Sequence, residues 1–93
     1  MTKLYLLAEP GERHEDVTPY GLYTAHGLAE VCLQLQENIS GDYVGYYVFI
    51  MKPNQQWKSS RSCDFVINLS KKDIYIDGSK IPDDKLADFI GAL

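Results

Sequence analysis

The stretch Asp42-Tyr-Val-Gly-Tyr-Tyr-Val-Phe-Ile-Met51 is almost entirely β-branched or aromatic, which marks a strand. Its apolar side chains fall on both parities. Tyr43, Tyr47, Phe49 and Met51 share one face, and Val44, Tyr46, Val48 and Ile50 share the other. A strand covered on one side only would alternate with polar residues. The stretch therefore predicts a strand in the middle of a sheet, or one that turns an aromatic face towards a partner.

Two further strands follow it. Cys63-Asp-Phe-Val-Ile-Asn-Leu69 alternates cleanly and points Cys63, Phe65, Ile67 and Leu69 inward. Asp73-Ile-Tyr-Ile-Asp77 comes after a short Lys71-Lys72 turn and points Ile74 and Ile76 inward, which completes an antiparallel meander. Upstream, Lys3-Leu-Tyr-Leu-Leu-Ala8 reads as a first strand halted by Glu9-Pro10-Gly11. Thr24 is a helix cap, and Ala25, Leu28, Val31, Cys32, Leu35 and Ile39 form one stripe that Gly41 closes. Pro82-Asp83-Asp84 starts a second, shorter helix carrying Leu86, Phe89, Ile90 and Leu93. Residues 9–23 show no period and read as a long connection. The order β-α-β-β-β-α predicts one α+β domain over residues 1–93, with an antiparallel sheet of about four strands and two helices on one face.

Size and composition agree with a single folded domain. The chain has 93 residues, 45% hydrophobic and 24% charged, too apolar for an intrinsically disordered chain. No apolar run approaches the roughly 20 residues of a membrane span, and the start lacks a secretory signal, so the expected compartment is the cytoplasm. Cys32 and Cys63 have no second cysteine nearby, which predicts two reduced thiols and no zinc or redox pair.

Charge is distributed unevenly. Residues 1–51 carry seven carboxylates against Lys3 and Arg13, net −5. Residues 52–72 carry Lys52, Lys58, Arg61, Lys71 and Lys72 against Asp64, net +4. Residues 73–93 carry five aspartates against Lys80 and Lys85, net −3. The segment Lys52-Pro-Asn-Gln-Gln-Trp-Lys-Ser-Ser-Arg-Ser62 holds the chain's one tryptophan in polar surroundings. Trp and Arg often dominate binding energy at interfaces, so Trp57, Lys52, Lys58 and Arg61 are candidate contacts. An aromatic beside Lys and Arg can also stack a base and hold phosphate. Against this stands the acidity of the chain, net −4 with pI near 4.9, which makes nucleic acid the less favoured partner. Val44-Gly45-Tyr46-Tyr47-Val48-Phe49 partly resembles the RNP1 motif of RNA-recognition domains. It lacks the leading basic residue and second glycine, and the predicted order ends on a helix where that fold ends on a strand.

Nothing in the sequence points to catalysis. His14 and His26 fall in no nucleophile or metal spacing, and His26 and Cys32, six apart on a helix, project in different directions. Glu9, Glu12, Glu15 and Asp16 lack the ligand order of a calcium loop and suit a negative docking surface instead. Seven tyrosines exceed what so small a core buries with paired hydroxyls, so some are expected at a contact surface, Tyr46 and Tyr47 among them.

The sequence therefore predicts a non-enzymatic protein-binding module without cofactor or metal, which covers a surface of a larger protein or ribonucleoprotein complex. Homodimerisation through a strand edge or the aromatic face is open. The alternative is a small RNA or single-stranded DNA binder using the Trp57 segment. Small size, acidity and tyrosine richness make the chain similar in type to phage-borne inhibitors of bacterial defence, anti-CRISPR proteins included. No residue motif carries that likeness.

Overall fold

The computed structural model describes residues 3–10, 17–52, 54, 56 and 62–93. Six strands and two helices follow one another as β1 (Leu4–Pro10), β2 (Val17–Tyr23), α1 (Ala25–Glu37), β3 (Val44–Met51), β4 (Phe65–Leu69), β5 (Ile74–Ile76), β6 (Ser79–Lys80) and α2 (Leu86–Gly91). A 3-10 turn at Asp83–Lys85 leads into α2. The strands form one antiparallel sheet in the order β2-β1-β3-β4-β5-β6. The α+β class and the β3-β4-β5 meander are as the sequence predicts, and β3 is an interior strand.

Two strands exceed the expected four. Part of the presumed connection over residues 9–23 is β2, which pairs with β1 from Tyr5↔Tyr23 to Pro10↔Val17. Pro19 lacks a donor and Gly21 weakens a strand, so the segment looks like a loop in isolation. On a sheet edge both are tolerated. The register slips between Leu7 and Ala8, where Tyr20 is the extra residue between Gly21 and Pro19. The second addition, β6, is two residues long and folds back on β5 through Asp77 (φ 49°) and Gly78 (φ +85°). Both turn residues are left-handed, as a tight hairpin needs.

Thr24 caps α1, its Oγ1 accepting from the Gly27 amide at 3.1 Å. The helix ends earlier than expected. Its last residue is Glu37 with Asn38 as cap, so Gly41 lies beyond it. Ile39 nevertheless reaches the core at 8% exposure.

Both helices cover the same side of the sheet. The core joins Leu28, Cys32, Leu86 and Ile90 from the helices to Leu7, Val48, Phe65, Ile67, Leu69, Ile74 and Ile76 from the strands. Each such side chain contributes about 1.5–3 kcal/mol by leaving water. Cys63, expected inward, is only half-buried, and both cysteines are free thiols. Asp64 Oδ2 accepts from the Ile50 amide at 2.6 Å and Asp77 Oδ1 from the Val66 amide at 3.0 Å, so two loop aspartates continue the ladder beyond the strand ends.

Candidate interaction surface

The face of the sheet turned away from the helices carries the side chains that the core leaves over. In antiparallel pairs, partners directly opposite share a face. Tyr5 and Leu7 belong to the core, so Leu4, Leu6 and Ala8 point the other way. Leu6 stands opposite both Leu22 and Phe49, Tyr47 opposite Val66, and Asn68 opposite Tyr75. Leu22 is 54% exposed and Tyr43 63%, whereas Phe49 and Ala8 are fully buried on this same side. From β1 to β4 the face is apolar and aromatic, interrupted only by the Asn68 carboxamide.

The two tyrosines of β3 separate here. Tyr47 lies on the helix-free face, half-buried. Tyr46 lies beneath the helices at 7% exposure, edge-on to Tyr20 with ring centroids 6.5 Å apart. It belongs to the core cluster. Burial pushes its phenol up, with the Glu9 carboxylate adding to the effect.

Glu9 is exposed near the end of β1, opposite Thr18, and Lys52 is exposed just after β3. Because Leu4 pairs with Met51, Glu9 is five residues, roughly 17 Å, further along β1 than the end that Lys52 leaves. Glu9 and Lys52 thus lie at opposite ends of the sheet. Glu12, Glu15, Asp16, Trp57, Lys58, Arg61 and His14 lie outside the described residues.

His26 Nε2 pairs with Glu30 Oε1 at 3.2 Å across one turn of α1, largely in solvent. Burial pushes the Cys32 thiol up to about 12, which keeps it protonated and inert. Among the described residues no group of three or more His, Cys, Asp or Glu is placed to hold a metal ion, and no helix is long and apolar enough to cross a membrane.

One recess on the helix-free face was not legible in the sequence. Tyr43, Asn68, Tyr75 and Gly78 line a notch of about 380 Å³. The Tyr43 and Tyr75 rings are tilted by 58° with centroids 6.2 Å apart, so they form a corner and do not stack. Asn68 leans across to β3, its Oδ1 only 3.0 Å from where a Cβ at Gly45 would stand, and glycine there gives the carboxamide room. Beside Tyr75, Lys80 Nζ pairs with Asp73 Oδ1 at 3.1 Å. The Tyr75 phenol is raised first by desolvation and then by the Asp73 carboxylate. A second recess of about 250 Å³ lies at the β4-β5 turn, lined by Gly41, Asp42 and residues 70–73. The signal that could have pointed to the first notch was the polar parity of β4 and β5, Asn68 and Tyr75, together with Gly45. No protein-family model, curated protein or solved structure matches this chain, so its functional reading rests on these residues.

Proposed function

We propose that the chain is a non-enzymatic protein-binding module that acts by covering a surface of a larger macromolecular partner. A phage-type inhibitor of a bacterial defence or nucleic-acid-handling complex is one form such a module takes. The observation that supports this reading is the helix-free sheet face, where Leu22 and Tyr43 remain more than half exposed in a chain of only 93 residues. Exposed aromatic and apolar side chains grouped on one face, rimmed by charge, mark interaction sites. The acidity of the chain favours a basic partner surface, because complementary potentials steer encounter and fix register.

The test is capture of partners on the immobilised protein from a bacterial lysate, with and without nuclease, repeated with Leu22→Glu and with Trp57→Ala plus Arg61→Glu. A defined protein that survives nuclease and is lost with Leu22→Glu supports the reading and puts the sheet face in the contact. Partners that vanish with nuclease sink it and favour nucleic-acid binding through the Trp57 segment.

A further inference from the structure

The notch of Tyr43, Asn68, Tyr75 and Gly78 has a chemistry more specific than that of the face around it. We propose that it seats an arginine side chain of the protein partner. This rests on the reading of the chain as a protein-binding module and names the group that the module recognises.

Shape is the first argument. Two phenol rings tilted by 58° with centroids 6.2 Å apart form one wall of a recess of about 380 Å³ that Asn68 and Gly78 also line. A planar guanidinium stacks on an aromatic face and brings a long aliphatic stem that an apolar wall can cover.

Hydrogen bonding is the second. A guanidinium has five donors and no acceptor. The notch offers oxygens, from the Asn68 carboxamide and from two phenols that hydrogen-bond to one another and keep lone pairs to accept with. The absence of a Cβ at Gly45 leaves room for the Asn68 carboxamide, whose Oδ1 lies 3.0 Å from where that atom would stand.

Charge is the third. Lys80, beside Tyr75, is already held by Asp73 at 3.1 Å, and Lys71 and Lys72 lie at the β4-β5 turn with Asp42 and Asp73 around them. Asp42 precedes Tyr43, Asp77 precedes Gly78, and residues 73–93 are net −3 in a chain of net −4. This surround draws a cation and repels phosphate. Lysine can also enter such a field, but its ammonium neither stacks nor forks across two acceptors.

The experiment is a titration of the full chain, labelled with nitrogen-15, with the peptide acetyl-Gly-Ser-Arg-Ser-Gly-amide and with matched peptides carrying citrulline or lysine in place of arginine. Citrulline keeps the shape and removes the charge. The arginine peptide is expected to shift the Asn68 side-chain amide and the Gly78 backbone amide, and to bind at least about fivefold more tightly than the citrulline peptide, as a partly exposed cation–π contact allows. Tyr75→Ala should abolish the response, and Tyr43→Phe, which keeps the ring face, should retain most of it. The amide spectrum of each variant reports whether it is folded. Equal responses to arginine and citrulline, no response at Asn68 and Gly78, or shifts at those residues produced instead by an oligothymidine would each overturn the inference. If the peptides fail while a nuclease-resistant partner is still captured and still lost with Leu22→Glu, the inference falls and the functional reading stands. If capture yields only nucleic acid, the functional reading falls as well.

Discussion

The hydroxyl of Tyr5, in β1, donates to the backbone carbonyl of Ile90, in α2, at 3.0 Å from inside the core. Eighty-five residues separate the two in the chain. The bond fixes the height of α2 over the sheet, and burial raises the Tyr5 phenol so that the donor stays protonated well into the alkaline range. Ile90 also accepts from the Leu93 amide at 3.0 Å, so its carbonyl is not orphaned when Tyr5 is changed. Tyr5→Phe should therefore cost about 1 kcal/mol in urea unfolding. A loss above about 3 kcal/mol would mean that the hydroxyl does more than this one bond.

Cys32 gives a pH prediction. Its thiol is pushed up from 9.0 to about 12 in the folded chain by burial. The unfolded chain releases this proton first, so the contribution is intact below about pH 9 and is lost as the pH rises from there towards about 12. Unfolding free energy should fall across that window, and the fall should be shallower in Cys32→Val. In native protein at pH 8, a thiol reagent should modify the half-buried Cys63 and leave Cys32 to react only on unfolding. Equal modification of both in the folded state would show that Cys32 is reached by solvent.

Gln36 is the one buried polar side chain of α1, and its Nε2 donor is buried without a hydrogen-bond partner. A buried, unsatisfied amide costs about 1–3 kcal/mol. Gln36→Met, which keeps the length and removes the polar atoms, should leave stability unchanged or raise it by about 1 kcal/mol, read as a higher urea midpoint at unchanged slope. A clear drop in midpoint would show that the amide is satisfied in solution.

The ends of two elements can be tested separately. Thr24→Ala removes the acceptor of the Gly27 amide and should cost about 1 kcal/mol, whereas Thr24→Ser should cost little. Gly78, at φ +85°, stands where an L side chain is strained, so Gly78→Ala should cost about 1 kcal/mol or more although space around it is open. Because Gly78 lines the notch, that variant should also alter the arginine peptide response, and Thr24→Ala should not.

How much of this could be read beforehand depended on whether the deciding force was local. The capped start of α1 and the alternation of Phe65, Ile67 and Leu69 are local, and both are found as expected. The second strand was hidden because Pro19 and Gly21 argue against a strand unless it lies on an edge, and the edge is created by a neighbour elsewhere in the chain. The split of β3 into two faces was visible, yet both are apolar, so nothing local said which would meet the helices. That is why Tyr46 and Tyr47 looked alike while one is core and the other is surface. The notch was out of reach for a similar reason, since it depends on Asn68 and Tyr75 standing opposite one another across β4 and β5.

The position of β1 has a further consequence, for the order in which the molecule can assemble. Its two neighbours come from different distances along the chain: β2 within a hairpin, β3 only after α1 has been made, with Leu7 opposite Val48. An isolated two-stranded hairpin is marginal in water. The β1-β2 ribbon should therefore stay loosely formed until β3 docks alongside it, while β3, β4 and β5 can pair through near neighbours. Closure of β1 against β3 is the step with the longest loop to organise in the sheet, and contacts of that separation slow folding. Substitutions at Leu7 or Val48 should then act on the folding rate more than substitutions within β5.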